Sequence, residues 1–98
     1  MRDGVAVLED QTRAYVEGTV ARIRVLAVPE SSRFPEGIKY AFHYGEAGAE
    51  HPIIRFDNHH GIHELHLESA TYEIDFPGLV SLYRAWRTAL PPEKRLDW

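Results

Sequence analysis

The chain has 98 residues, 44% of them apolar, enough for one hydrophobic core and not for two. Fifteen acidic against eleven basic side chains give a net charge of −4 with histidines neutral, which argues against gripping nucleic acid over a broad surface but leaves room for a local basic groove. With no cysteine there is no disulfide, thiolate nucleophile or zinc knuckle, and with neither a leader nor an apolar run of about twenty residues the expectation is a single cytoplasmic domain, 1–98, with no membrane span.

Asp3, Glu9 and Asp10 give the start an acidic bias, and Val5 to Leu8 is long enough for a short leading strand. From Tyr15 to Val28 the sequence is rich in β-branched residues. Thr19, Ala21, Ile23, Val25 and Ala27 fall on one side at period two, with Arg22 and Arg24 opposite, which predicts a long strand over a competing helix from about Glu9. Pro29 ends it, and the loop ESSRFPEG leads to the clearest alternation in the chain, Ile38, Tyr40, Phe42 and Tyr44. That aromatic row can stack bases, but a helix must pack somewhere, and the row reads as core. Gly45 to Gly48 reads as a turn, Ile53 to Asn58 as a third strand, and Ile62 to Glu68 as a fourth, set off by Gly61. His63, Leu65 and Leu67 then face one way and Ile62, Glu64 and His66 the other.

Asp75 is a plausible N-cap and Pro77 suits a first helical turn, after which Phe76, Leu79, Tyr83, Trp86 and Leu90 recur at helical steps. Pro91 and Pro92 stop that helix, leaving 91–98 as a polar tail whose Trp98 docks on the body or serves a partner. Arg84, Arg87, Lys94 and Arg95 read as a solvated basic face. The sum is an α+β domain: an antiparallel sheet of about four strands with one C-terminal amphipathic helix packed on one face.

Between Arg55 and His66 the sequence is RFDNHHGIHELH, four of the six histidines beside an arginine, two carboxylates and an asparagine. Such groups lose hydration on burial unless paired, so the segment is a poor way to build a core and the first place to seek function. As a metal site, His59, His60, His63 and His66, with His59, His63 and His66 on one face if the segment is helical, and Asp57 or Glu64 suit zinc, nickel or manganese. As a proton-transfer site that needs no metal or cofactor, one imidazole deprotonates an RNA 2′-hydroxyl, another protonates the leaving oxygen, and Arg55 clamps the phosphate. Asp57 then orients a histidine, and Asn58 serves the turn or a base edge. The third use is only architectural: Asp57 and Asn58 make a turn with their own backbone, and the histidines stay exposed and idle, as expected for the isolated His43 and His51.

The order of these features resembles the TumE-type toxins of bacterial and archaeal toxin–antitoxin pairs. YVEGTVARIRVLAVPE, with Val28 and Pro29, resembles their long strand ending in V-P, and Ile38 to Phe42 resembles their F-K-Y strand. Arg55, Phe56, Asp57 and Asn58 match R-Y-D-N with Phe for Tyr, and Gly61, His63 and His66 match the glycine and two histidines that follow. The likeness spans about 12–90; Leu65 and Leu67 stand where members carry polar residues, so a basic neighbour of the histidines is missing. The resemblance implies a toxin that cleaves RNA and a small helix-turn-helix antitoxin as partner. On it, Arg55 is the phosphate clamp, His60, His63 and His66 are the acid and base candidates, and Asp57 is the orienting carboxylate. The rival expectations are a non-catalytic interaction module and a small metalloprotein.

Overall fold

The computed structural model describes residues 4–98. Six strands form one antiparallel sheet in sequence order: β1 Ala6–Ala14, β2 Thr19–Ala27, β3 Ile38–Glu46, β4 Ile54–Asp57, β5 Glu64–Leu67 and β6 Ala70–Glu73. One α-helix, α1 Leu79–Ala89, and a 3-10 helix, Pro92–Asp97, follow. The architecture is the expected α+β sheet and helix, with six strands where about four were expected.

The two additional strands have one physical cause. All nine residues of β1 are exposed, as are most of β6, so neither shows the polar–apolar alternation that a half-buried strand imprints on a sequence. The expected leading strand at Val5 to Leu8 is the start of β1, which runs on through Ala14 in place of the competing helix from Glu9. The long strand expected from Tyr15 is shorter at its beginning. Tyr15 to Gly18 form the hairpin turn into β2, where Gly18 N–H donates to the Tyr15 carbonyl at 2.9 Å and Gly18 adopts φ 104°.

Ala21, Ile23 and Val25 of β2, Tyr40, Phe42 and Tyr44 of β3, and Ile54 and Phe56 of β4 bury one face of the sheet against Leu82, Trp86 and Leu90. The aromatic row is thus core: Phe42 lies 6.2 Å from Trp86, centroid to centroid. Asp75 is not the helix N-cap. Gly78, at φ 102°, breaks the chain between Pro77 and the helix, so α1 starts at Leu79 with no side-chain cap. Phe76 stacks instead on His63 at 4.4 Å.

The C-terminal segment is packed down, which overturns the solvated reading for Lys94. That ammonium is buried, donating to Tyr44 Oη and Thr19 Oγ1 at 2.8 Å each and to Glu17. Arg87 and Arg95 donate to the carbonyls of Arg95 and of Thr88 and Leu90, satisfying acceptors that a helix end leaves free. Trp98 packs edge-on against Trp86 at 5.1 Å, resolving its two possible fates in favour of docking.

Candidate functional site

α1 covers one face of the sheet over β3 and β4; the other face is bare, and it collects the chain's chemistry in a single cross-strand row. Registers pair Thr12 with Arg22, Arg22 with His43, His43 with Arg55, Arg55 with His66, and His66 with Thr71. Directly opposed residues in antiparallel strands project to the same face, so two arginines and two histidines stand side by side across β2 to β5. The next row carries Asp10, Arg24, Ala41, Asp57, Glu64 and Glu73.

Hydrogen bonds tie the middle of these rows together. Asp57 is buried, and its Oδ2 accepts from Arg55 Nε at 2.7 Å and lies 3.2 Å from His66 Nε2. Its Oδ1 accepts from the His59 backbone N–H at 3.3 Å. With the Nε2 proton facing Asp57, His66 Nδ1 is the unprotonated nitrogen and lies 3.1 Å from Thr71 Oγ1. Arg55 Nη1 lies 3.5 Å from His43 Nδ1, and because Asp57 engages Nε, the terminal nitrogens remain for an anion.

Beside this cluster lies a cleft of about 500 Å³ lined by Arg22, Arg24, Lys39, Arg55, His43 and His59, with Glu46 as its one acidic residue. Arg22 and Arg24 share Asp10, at 3.5 and 3.8 Å. Burial, then the charges of Arg55 and Arg22, lower the pKa of His43 below its ordinary 6.5. Burial also lowers His59, with Asp57 opposing and Arg55, Lys39 and His60 assisting. Both rings are therefore neutral near pH 7.

Among the expected site residues, Arg55, Asp57 and His66 come together. His60 is exposed in the turn after β4. His63 lies on the helix-bearing side, where its Nδ1 accepts from Tyr40 Oη at 2.9 Å and its Nε2 faces Glu36 at 3.3 Å. Burial first, then Asp57 and Glu36, raise the Tyr40 phenol, so it stays the donor. Asn58 is fully buried: its Oδ1 accepts from Tyr40 N–H and its Nδ2 donates to the Ile38 carbonyl, both at 2.9 Å. Its burial behind β3 keeps the amide from a base edge. The turn closes with Gly61, whose φ of 81° and contact with Arg33, 2.9 Å from a would-be Cβ, admit no side chain.

The histidines His59, His63 and His66 do not converge on a common metal position. Among the described residues, the set with donor atoms mutually within 4.8 Å is Asp57, Glu64 and His66. The Arg55 guanidinium already occupies that carboxylate, supplying the positive charge a cation would bring. His43, Arg22, Arg24 and Lys39 line the candidate cleft and were not among the site residues the sequence singled out. Their alternation was visible in the sequence; which of them stand opposite Arg55 depends on register, which no local pattern states.

Fold and face together define a small α+β domain whose open sheet face carries arginines, histidines and carboxylates in register. A family model described as Toxin TumE matches residues 2–91, nearly the whole chain. The chain belongs to the TumE toxin family, and membership implies in general an antitoxin partner. No curated protein and no solved structure matches it. No helix among the described residues is long and apolar enough to cross a membrane.

Proposed function

We propose that this chain is the toxin of a toxin–antitoxin pair and acts as a metal-independent endoribonuclease on the open face of its sheet. The observation that carries the proposal is the row Arg22, His43, Arg55, His66, which sets a phosphate-binding fork between two imidazoles. Arg55, held by Asp57, binds the scissile phosphate through its terminal nitrogens. His43, neutral because burial and two guanidinium groups oppose its charging, takes the proton of the 2′-hydroxyl. The 2′-oxygen attacks phosphorus, the bond to the 5′-oxygen breaks, and His66 protonates that leaving oxygen, so the products are a 2′,3′-cyclic phosphate and a 5′-hydroxyl. Asp57 fixes the His66 ring and its tautomer, the part a carboxylate plays behind a catalytic imidazole. Arg22, Arg24 and Lys39 line the path of the flanking backbone, a local positive groove on an acidic protein. His60 and His63 receive no chemical role, and Asn58 a structural one. The partner is a small helix-turn-helix antitoxin, on the strength of the resemblance in sequence.

Expression of the chain alone is expected to arrest growth and yield RNA fragments with cyclic-phosphate ends. His43→Ala and His66→Ala should each lower cleavage by about two to four orders of magnitude, while His60→Ala stays near wild type. Growth arrest that survives both substitutions would assign the toxin to binding without catalysis. Cleavage abolished by EDTA and restored by zinc would hand the role to Asp57, Glu64 and His66.

A further inference from the structure

The longer of the sheet's two edges, β1, carries a second reading, independent of the proposed activity. We propose that β1 is a self-association edge, along which two copies pair antiparallel about a two-fold axis through Gln11.

β1 hydrogen-bonds to β2 on one side only, and every one of its residues is exposed. α1 packs over β3 and β4 and leaves it uncovered. Glu9, Gln11 and Arg13 pair with Val25, Ile23 and Ala21 and so share the helix side, while Asp10 and Thr12 pair with Arg24 and Arg22 and share the open face. A nine-residue edge with free backbone donors and acceptors is a template for another strand unless something blocks it. Here the blocking devices are charges and the irregularity between Val7 and Glu9, which leaves Glu9 to Ala14 as the regular stretch.

Symmetry limits how a second copy fits. A two-fold that joins like edges antiparallel must stand perpendicular to the sheet, so each residue faces one of its own parity. Centring on Glu9, Asp10 or Arg13 sets a like charge against itself. Centring on Thr12 sets Gln11 against Arg13 and Glu9 against Tyr15. Centring on Gln11 alone sets Glu9 against Arg13, twice by symmetry, and Asp10 against Thr12, also twice. The charges that block other registers match in this one. Arg13 has no ion-pair partner within its own chain among the described residues, whereas Asp10 already holds Arg22 and Arg24. The product is one continuous sheet of twice six strands with both open faces on the same side and both helices on the other.

Sedimentation equilibrium on the purified full chain tests this without reference to activity. Wild type is expected to dimerise within about 1–100 µM, and Glu9→Arg or Arg13→Glu to weaken the dimer about tenfold or more, each converting two attractive pairs to repulsive ones. The double variant E9R/R13E should recover wild-type association. Both positions are exposed, so the fold tolerates the changes, which circular dichroism checks. Wild type monomeric throughout, single variants that dimerise like wild type, or a double variant no better than the singles would each overturn the proposal. So would a monomer whose β1 amides become protected from exchange only on adding antitoxin, since the edge would then be the antitoxin's.

Discussion

Asn58 illustrates how one side chain can stand in for a missing piece of backbone. β4 ends at Asp57, opposite Ala41, and the next pairing in the ladder is supplied by the Asn58 amide, which reaches Tyr40 N–H and the Ile38 carbonyl. Asn58→Ala leaves those groups unpaired in the interior, and we expect a loss of about 3 kcal/mol in urea unfolding. The sequence suggested a turn here, and the turn exists, but its side-chain bonds lie with a strand eighteen and twenty residues away, which no local rule reveals. His43 was hidden for the same reason: it looked isolated until register set it between Arg22 and Arg55. Its titration is the residue-level test. In the proposed reaction it is the base and has to be neutral, so the acidic limb of cleavage should have its midpoint below 6.5, and Arg22→Gln, by removing a neighbouring charge, should move that midpoint upward. A pH profile of cleavage measures both. In the window below 6.5 the unfolded chain binds more protons at this site than the folded one, so the stability it contributes is complete above the window and is lost as pH falls through it.

Elements were legible in proportion to how asymmetrically they are buried. β2 alternates buried residues with more exposed ones, β3 sets a buried aromatic row opposite the half-buried Lys39 and His43, and that alternation showed in the sequence. β1 and β6 have little buried on either face, and they were missed or cut short. The helix was read from Leu79, Tyr83, Trp86 and Leu90, but its start was placed too early, because a Pro followed by a positive-φ Gly separates Asp75 from the first turn. The C-terminal 3-10 helix was read as polar tail because a buried lysine looks like any other lysine in sequence. Tyr15 and Tyr44 present their rings 4.5 and 5.1 Å from the Lys94 ammonium. Lys94→Met keeps most of the stem but removes the charge that Tyr44, Thr19 and Glu17 meet, and should cost about 2 kcal/mol, since Glu17 is half exposed and partly rescued by water. Urea titration followed by tryptophan fluorescence reports it, because Trp86 and Trp98 meet beside this segment.

At the scale of the molecule, composition and local structure point in opposite directions and both are right. Net charge is −4, yet the lining of the cleft beside Arg55 gathers three further cations and Glu46, with Asp10 shared by two of those cations. The charge total therefore describes the protein poorly as a binding partner, and only the three-dimensional sorting of charges restores the groove. Fold class was legible because an alternating middle followed by one amphipathic helix admits few packings. The site was half legible: the dense segment supplied Arg55, Asp57 and His66, while its other half arrived on neighbouring strands. All six strands run in sequence order, so the row is assembled by hairpins alone, and its whole length lies on the side the helix leaves bare. Among the described residues no helix packs across that side. On the proposed reading a long polymer meets this face without prior rearrangement, and restraint would come from outside, from a partner broad enough to lie across the strands. Removal of that cover would release a face already assembled for work.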